Sequence, residues 1–440
     1  MSAPFPRIPH PVIFTVLYLP FGALSGFVSV ALTFMGKAAG LSVADTSLLI
    51  GANLLTSWMK WIWAPVVDAT LSPKKWYIFA TICSALGVFT MAAVPLSNST
   101  LPIILVVITL ASLINSIVGM SIEAIMGVTT LESERGRVSA WFQAGNLGGS
   151  AFGGALGLIL LQELPATWMA GGIMAGTFLA CCTALRWVPD VRAHTAVGGV
   201  LRSTIGVFGE LWAMLKTRPG VLSALLCILP IGTGAVQGVL GQDEIAGYWG
   251  AGAGEVALVQ GLFAGGLMTA GCFAGGWLCD RLHPRTAYAT IGLALALVAV
   301  GMGLSPATVS MYIGWNLLYS FGVGLAYAAF TAVVLSAMGT GAGATKYSFF
   351  ASLSNFPIWW LGLLLGRVAD SKLGQAVVPE GGGAPVPAGA FDVWLAGFMA
   401  DLSAPLGATS ALYCEAVLGV IAVGLFVVVL KVFGASRAAA

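Results

Sequence analysis

The amino-acid sequence predicts an all-α membrane protein with twelve transmembrane helices in two pseudo-symmetric six-helix bundles. Three observations lead to this fold class: a composition poor in charge, a series of long apolar runs, and an internal repeat. Of the 440 residues, 58% are hydrophobic and 8% are charged, whereas ordinary soluble proteins contain about 25% charged residues. So few charges cannot cover a water-exposed surface, so the apolar side chains require lipid around them.

The apolar runs are each roughly 20 residues long, enough for a helix to cross a hydrocarbon core about 30 Å thick. Lipid offers no hydrogen-bond partners, so each run must satisfy its own backbone as a helix. The first run lacks a small-residue cleavage site and is predicted to be a retained span rather than a signal peptide. The predicted spans, numbered one to twelve, are 12–36, 46–67, 77–96, 101–126, 138–161, 165–186, 221–240, 255–279, 286–304, 308–336, 346–367 and 406–431.

The basic residues indicate the orientation of the chain, because cytoplasmic loops carry an excess of Lys and Arg. With the N-terminus inside, the inner segments contain Arg7, Lys74, Lys75, Arg135, Arg137, Arg186, Arg192, Arg202, Lys216, Arg218, Arg281, Arg285, Lys431 and Arg437. The outer segments contain Lys37, Arg367 and Lys372. This asymmetry predicts that both termini are cytoplasmic.

The longest inner loop, residues 187–220, is predicted to link an N-terminal bundle, residues 1–186, to a C-terminal bundle, residues 221–440. Part of this linker, about 200–216, is a candidate interfacial amphipathic helix. The outer loop 368–405 is rich in Gly, Pro and Ala, and we expect its middle to be poorly ordered.

The two halves also echo each other in sequence. Asp68 and Asp280 follow spans two and eight, and each precedes a proline and basic residues. One shared offset relates Arg137 to Lys346, Ser139 to Ser348 and Asn146 to Asn355. This set supports a parallel six-plus-six repeat like that of major facilitator transporters. An acidic residue at a helix end can pair with a basic group on a neighbouring helix in one conformation only; the alternative is a charged loop residue that ends a span.

Charged residues inside spans are costly and therefore candidates for function. Asn53, Ser57 and Lys60 share one face of span two, because they are spaced at i, i+4 and i+7. Asn115 and Glu123 belong to a similar stripe on span four. We expect Lys60 and Glu123 to face each other, either as a proton- or substrate-linked switch or as a static bridge between the two spans.

Further polar residues can either line a central cavity or hydrogen-bond between helices, and for any single one packing is the favoured role. The candidates for a substrate cavity are Asn53, Asn115, Gln143, Asn146, Gln237, Gln260, Asn316, Ser352 and Asn355. For Glu415 in span twelve a packing role is also favoured. Pro230 should break or kink span seven.

Several function classes are disfavoured. An odd number of cysteines, seven, argues against a disulfide framework, and none has zinc-ligand spacing. The histidines (His10, His194 and His283) lie outside the spans, and no H-E-x-x-H or G-x-S-x-G motif occurs. The net charge is +2, and no basic patch with interleaved aromatic residues indicates nucleic-acid binding. We therefore expect neither an enzyme nor a metal or nucleic-acid site.

Four strings add a family resemblance that covers most of the chain. They are W-M-K-W-I-W-A-P-V-V-D (58–68), E-R-G (134–136), G-E-V-A-L-V-Q-G (254–261) and A-T-K-Y-S-F-F-A-S-L-S-N (344–355). Together they resemble the AmpG-type muropeptide permeases, in the major facilitator branch that also holds acetyl-coenzyme A transporters and some siderophore permeases. The resemblance implies import of a bulky polar solute across a bacterial inner membrane, driven by the proton gradient without a cofactor. Lys60 and Asp68 match that family's lysine and aspartate.

The chain departs from that family at two places. Gly119 stands where the first of two acidic residues is usual in span four, and span seven reads P-I-G-T-G-A-V-Q-G (230–238) without charged groups. Since architecture does not set the direction of transport, a proton-coupled exporter of drugs or metabolites is the alternative. We expect a monomer whose partners are a small-molecule solute and the lipid bilayer.

Overall fold

The computed structural model describes residues 10–41, 43–191, 200–339, 341–370, 375, 387–401 and 407–435. Outside these ranges lie Arg7, Arg192, His194, Lys372 and Arg437. Every regular element within the described ranges is a helix. Ten helices in the described part of the chain are long and apolar enough to cross a membrane, or up to eleven if a bent pair counts as one span. The chain is therefore a multi-pass membrane protein, and the predicted fold class is confirmed.

Ten predicted spans are formed by helices whose ends lie within a few residues of the predicted ones. Spans one, three to six and eight to twelve are Val12–Ala38, Pro73–Ala93, Leu101–Thr129, Glu132–Glu163, Thr167–Trp187, Gly254–Arg281, Pro284–Leu304, Val309–Met338, Gly343–Ala369 and Ala408–Val432. The exceptions are spans two and seven, which are both interrupted.

Span two consists of the Val43–Met59 helix, a 3₁₀ turn at Lys60–Ile62, and the Ala64–Ala69 helix. Pro65 stands at the start of the last helix. Proline has no N–H to donate and clashes with the preceding turn, so a regular α-helix cannot run through this point. The interruption places Lys60 in the turn, where it is buried.

Span seven is broken as Pro230 predicts. The Arg218–Ile228 helix ends two residues before that proline, and the Val236–Leu240 helix begins after it. Gly232 and Gly234 between them have φ of 60° and 70°. Because glycine has no Cβ, it adopts this left-handed conformation readily.

The linker contains the predicted helix, Val200–Leu215. It meets the Arg218–Ile228 helix at 90°. One face buries Val207, Leu211 and Met214, while Ile205, Phe208 and Trp212 are exposed. The helix is therefore amphipathic, and its position at a membrane interface stays a prediction.

The loop between spans eleven and twelve contains a helix that we did not predict, Ala390–Asp401. Its 12 residues span about 18 Å at 1.5 Å per residue, too short to cross a bilayer. Residues 376–386, in the part of this loop expected to be poorly ordered, lie outside the described residues.

The chain divides into two compact units. The first comprises Met1–Ile228, Gly265–Tyr288 and Gly324–Asn355, and the second comprises Leu229–Ala264, Ala289–Val323 and Phe356–Ala440. The first unit thus combines the predicted N-terminal bundle with segments of spans eight, ten and eleven. The division at residues 187–220 into two related bundles stays a prediction.

The hydrophobic core of the first unit joins spans one to six. Its buried members include Phe27, Leu49, Val88, Ile104 and Phe178. Small residues let spans one and five approach closely: a Cβ on Gly153 would overlap with the backbone of Ala23. This packing holds the polar faces of the same spans in fixed positions.

Candidate coupling site

A buried ion pair links spans two and four. The Nζ atom of Lys60 lies 2.6 Å from Oε1 of Glu123, and the two side chains are 6% and 0% exposed. The expected contact is therefore present. Such a pair gives up the hydration of both charges, so it is stable only if further hydrogen bonds satisfy the remaining polar atoms.

Two hydroxyl groups complete the surroundings of the Glu123 carboxylate. Tyr18 in span one donates to Oε1 over 3.2 Å, and Ser348 in span eleven donates to Oε2 over 3.3 Å. The Lys60 ammonium also lies 5.5 Å from the ring centroid of Tyr347, whose π-face attracts a cation. Loss of the Glu123 charge would therefore weaken one ion pair and two hydrogen bonds at the same time.

A chain of hydrogen bonds continues from Tyr347 to span five. The Tyr347 hydroxyl shares a hydrogen bond with Thr331 at 2.9 Å, and Gln143 donates to Thr331 over 2.7 Å. Asn146 donates to the side-chain oxygen of Gln143 over 2.9 Å. The candidates Gln143 and Asn146 are thus connected to Lys60 through the aromatic ring of Tyr347.

Asn53 and Asn115 connect spans two and four to span one. Asn53 donates to Ser25 over 2.9 Å and accepts a hydrogen bond from Ser112 at 2.8 Å. Asn115 donates to the backbone oxygen of Phe21 over 3.1 Å, but its buried Oδ1 has no hydrogen-bond partner among the described residues. A buried polar atom without a partner is rare in proteins, so this oxygen is a place where a solute or water can donate.

Ser352 and Asn355 lie on span eleven, further along the same helix than Ser348. Asn355 donates to the backbone oxygen of Ser57 over 3.4 Å. Within the part of the chain that the structure describes, the buried Ser352 hydroxyl has no hydrogen-bond partner. Among the described candidates in the first unit, Asn115 and Ser352 therefore carry the unsatisfied polar atoms. Asn53, Gln143 and Asn355 bond between helices, and Asn146 bonds to Gln143 within span five.

Asp68 binds the first turn of span eleven rather than a basic side chain. Its Oδ2 accepts the backbone N–H of Thr345 at 2.8 Å and the Thr345 hydroxyl at 2.7 Å, and its Oδ1 accepts the N–H of Ala344 at 3.2 Å. In this conformation Asp68 therefore binds the start of a helix, and its pairing with a basic group in another conformation stays a prediction. The physical reason is that the free N–H groups and the partial positive charge of a helix N-terminus attract a carboxylate.

Asp280 makes the corresponding contact at the start of span five. Its Oδ1 accepts the backbone N–H of Gly136 at 2.9 Å. A Cβ on Gly136 would overlap with the backbone oxygen of Gly276, and a Cβ on Gly276 would overlap with that of Gly136. Glycine at both positions therefore allows spans five and eight to approach closely enough for this hydrogen bond.

Lys346, also in the first turn of span eleven, pairs with the linker helix. Its Nζ lies 3.5 Å from Oε2 of Glu210, whose side chain is 29% exposed. The linker helix and Asp68 therefore contact the same helix start.

In the second unit, the candidates Gln237, Gln260 and Asn316 contact each other. Gln260 donates to Asn316 Oδ1 over 3.0 Å and to the backbone oxygen of Gln237 over 3.4 Å. Gln237 donates to Ser320 over 2.8 Å. This polar cluster joins the short helix after the span-seven break to spans eight and ten.

An apolar pocket of about 490 Å³ also lies in the second unit, between span eleven, the Ala390–Asp401 helix and span twelve. Its aromatic lining is Trp359, Trp360, Phe391, Trp394 and Phe398. None of the predicted site residues lines it.

Sequence reasoning did not select Tyr18, Thr331 or Tyr347. A tyrosine in an apolar run usually packs, so only the position of Tyr347 between Lys346 and Ser348 offered a signal. Gly119 helps to admit Tyr18, because a Cβ there would come within 3.3 Å of the Tyr18 hydroxyl.

A protein-family model described as Major Facilitator Superfamily matches residues 14–367. The chain belongs to the Major Facilitator Superfamily. It is therefore a membrane transporter of small solutes. The matched range includes the Lys60–Glu123 pair and the polar cluster of Gln237, Gln260 and Asn316.

Solved structures of this superfamily have the same fold at low sequence identity. The E. coli fucose:proton symporter FucP is 14% identical with a TM-score of 0.66, covering 94% of this chain and 97% of that one. The proton:xylose symporter XylE is 12% identical with a TM-score of 0.61 and 94% coverage of both chains. A bacterial homologue of the iron transporter ferroportin, in an outward-facing state, is 14% identical with a TM-score of 0.59, covering 96% of this chain and 99% of that one.

Proposed function

We propose that this protein is a proton-coupled importer of a bulky polar solute, with the Lys60–Glu123 pair as its coupling site. The observation that carries the proposal is the burial of this pair among Tyr18 of span one and Tyr347 and Ser348 of span eleven. A static bridge between spans two and four needs only the two charges. The additional contacts connect the charge of Glu123 to span eleven.

Proton binding at Glu123 is the coupling step. A proton from the outer side adds to the carboxylate and gives a neutral acid, so the Lys60 ammonium loses its anionic partner. The freed ammonium can then bind an anionic or carbonyl group of the solute. Release of both solute and proton to the cytoplasm lets the ion pair form again, so the pair breaks and forms once per cycle.

The solute class and the direction come from the resemblance to the AmpG-type permeases. The K-W-I-W-A-P-V-V-D string contains both Lys60 and Asp68, and both are described here with specific partners. Muropeptide-like and siderophore-like solutes are bulky and rich in polar groups, which suits the unpartnered atoms of Asn115 and Ser352. Proton coupling is also the mode named for two proteins of similar structure, the fucose and xylose symporters.

The direction and solute can be tested in oriented membrane vesicles. Right-side-out vesicles with an alkaline interior would be given a labelled muropeptide, a labelled ferric siderophore or a labelled hexose. The proposal predicts gradient-dependent accumulation of the muropeptide or the siderophore, abolished by a protonophore. Accumulation only in inverted vesicles would show an exporter, and accumulation of the hexose alone would refute the solute class.

A further inference from the structure

Glu415 in span twelve is a second buried carboxyl group, separate from the coupling site. It is 8% exposed, and the Tyr319 hydroxyl lies 2.8 Å from each of its two oxygens. The Thr233 hydroxyl donates over 3.3 Å and accepts the backbone N–H of Ala235 at 3.3 Å. These described partners include no basic side chain, so hydrogen-bond donors alone stabilise the negative charge.

One of these donors, Thr233, belongs to the break in span seven. Thr233 follows Pro230 and, with Ala235, lies directly before the Val236–Leu240 helix. Non-helical backbone at membrane depth is tolerated only where protein or water satisfies its polar groups. The Thr233 hydroxyl accepts the N–H of Ala235 and donates to the Glu415 carboxylate, so the carboxylate stabilises the broken conformation.

Protonation of Glu415 would weaken this arrangement. An ionised carboxylate only accepts hydrogen bonds, and charge-assisted hydrogen bonds are roughly twice as strong as neutral ones. A protonated carboxyl must instead donate its own O–H. In the neutral acid, the hydrogen bonds from Tyr319 and Thr233 lose this charge assistance, so Glu415 binds the break less strongly.

We propose that Glu415 is a second proton-binding carboxyl group whose ionised form holds span seven in its broken conformation. A proton that adds to the carboxylate gives a neutral acid and releases the segment around Thr233. The place of Glu415 in a transport cycle rests on the proposed function. Proton binding by Glu415 and the movement of the segment around Thr233 do not depend on it.

The short helix after the break carries this change to the polar cluster of the second unit. Gln237 lies on that helix and donates to Ser320 over 2.8 Å. Ser320 is adjacent to Tyr319, the donor to Glu415. The short helix is therefore linked to span ten directly through Ser320 and indirectly, through Glu415 and Thr233, to Tyr319. Movement of the break would displace Gln237.

The other ionisable groups around span twelve do not neutralise Glu415. Tyr319 is the ionisable group that contacts it from span ten, and Cys414 is its neighbour on its own helix. Arg367 lines the apolar pocket that Cys414 also lines, and its charge is paired with Asp392 at 3.5 Å. Among the described groups, the donors Tyr319 and Thr233 therefore control the protonation of Glu415.

A nitroxide at position 238 would report the movement without any solute. Gly238 is exposed on the short helix, and a Cβ there would meet no atom within 4 Å. In a background without native cysteines, reconstituted Gly238→Cys protein would be spin-labelled and its EPR spectrum recorded across pH. Gly172→Cys in span six, which is equally open, is the matched control.

The proposal predicts a pH-dependent spectrum at position 238 and none at position 172. Glu415→Gln should hold the position-238 spectrum in its low-pH form, and Glu415→Asp should retain the response. Infrared difference spectra should show a protonated-carboxyl band that Glu415→Gln removes. If Glu415→Gln does not fold, Tyr319→Phe provides the test, because loss of a donor to the ionised form should move the midpoint to higher pH.

A response at position 238 that persists in Glu415→Gln, or a midpoint unchanged in Tyr319→Phe, would overturn the proposal. A Lys60→Met variant separates the two carboxyl sites. If the coupling role of Lys60 and Glu123 is wrong but this inference is right, Lys60→Met will keep gradient-driven transport in the vesicle assay. The pH response at position 238 will remain in either case.

Discussion

The carboxylate of Asp68 accepts two hydrogen bonds from Thr345, one from the backbone N–H at 2.8 Å and one from the hydroxyl at 2.7 Å. The contact joins the end of span two to the first turn of span eleven. Asp280 binds Gly136 in the same way, at the ends of spans eight and five. Both contacts must break whenever these helix ends separate.

Asp68→Asn should lower the stability of the described conformation. It removes a negative charge from a helix N-terminus, worth up to about 2 kcal/mol in partly buried sites. Thermal unfolding of purified protein, followed by tryptophan fluorescence, would measure the change. Asp190→Asn is the control, because Asp190 is 89% exposed in its pair with Lys74. Equal melting temperatures for the two variants would contradict a stabilising contact between Asp68 and the N-terminus of span eleven.

Lys60→Met and Glu123→Gln should destabilise the protein non-additively. Lys60→Met leaves a buried charge without its counter-ion, a loss of about 3–5 kcal/mol for buried pairs. The double variant removes both charges and should be more stable than Lys60→Met alone. The melting temperatures of the two single variants and the double variant, each compared with the unmodified protein, complete a double-mutant cycle. If the decrease in the double variant equals the sum of the two single decreases, Lys60 and Glu123 do not interact directly.

Glu210→Gln should have a smaller effect than Lys60→Met. Glu210 is partly exposed, and exposed ion pairs typically contribute about 0.2–1 kcal/mol. Its contribution should also shrink at high salt, because mobile ions screen exposed charges. Melting temperatures at low and high ionic strength would measure this, and a salt-independent loss as large as that of Lys60→Met would contradict the assignment.

Cysteine labelling should place the linker helix on the cytoplasmic side. Arg202 in the linker and Ser99 between spans three and four are both exposed. In a cysteine-free background, a membrane-impermeant maleimide should label Ser99→Cys in intact cells and Arg202→Cys only after permeabilisation. The reverse pattern would overturn the predicted orientation.

Most of the fold could be predicted from the sequence because lipid imposes one solution on each long apolar run. Ten spans follow from length and hydropathy, and Pro230 predicts the break in span seven. The interruption of span two was harder to predict, since the turn at Lys60–Ile62 depends on how Pro65 packs. The Ala390–Asp401 helix is short, and its apolar pattern alone does not distinguish it from a loop.

The candidate site was only partly predictable. Lys60 and Glu123 stand out because intramembrane charges are rare, and the repeat drew attention to Asp68 and Asp280. Their partners did not stand out, because Asp68 binds backbone N–H groups, which leave no mark in the sequence. No sequence pattern identifies Tyr18 as a partner either, because its hydroxyl contacts Glu123 only as a result of how span one packs.

The most direct test of the coupling role of Glu123 compares two modes of transport in proteoliposomes. With a solute identified by the vesicle assay, Glu123→Gln should lose accumulation driven by a proton gradient but retain solute exchange without a gradient. The account predicts this separation because the variant cannot exchange a proton at position 123. Gradient-driven accumulation equal to that of the unmodified protein would contradict it.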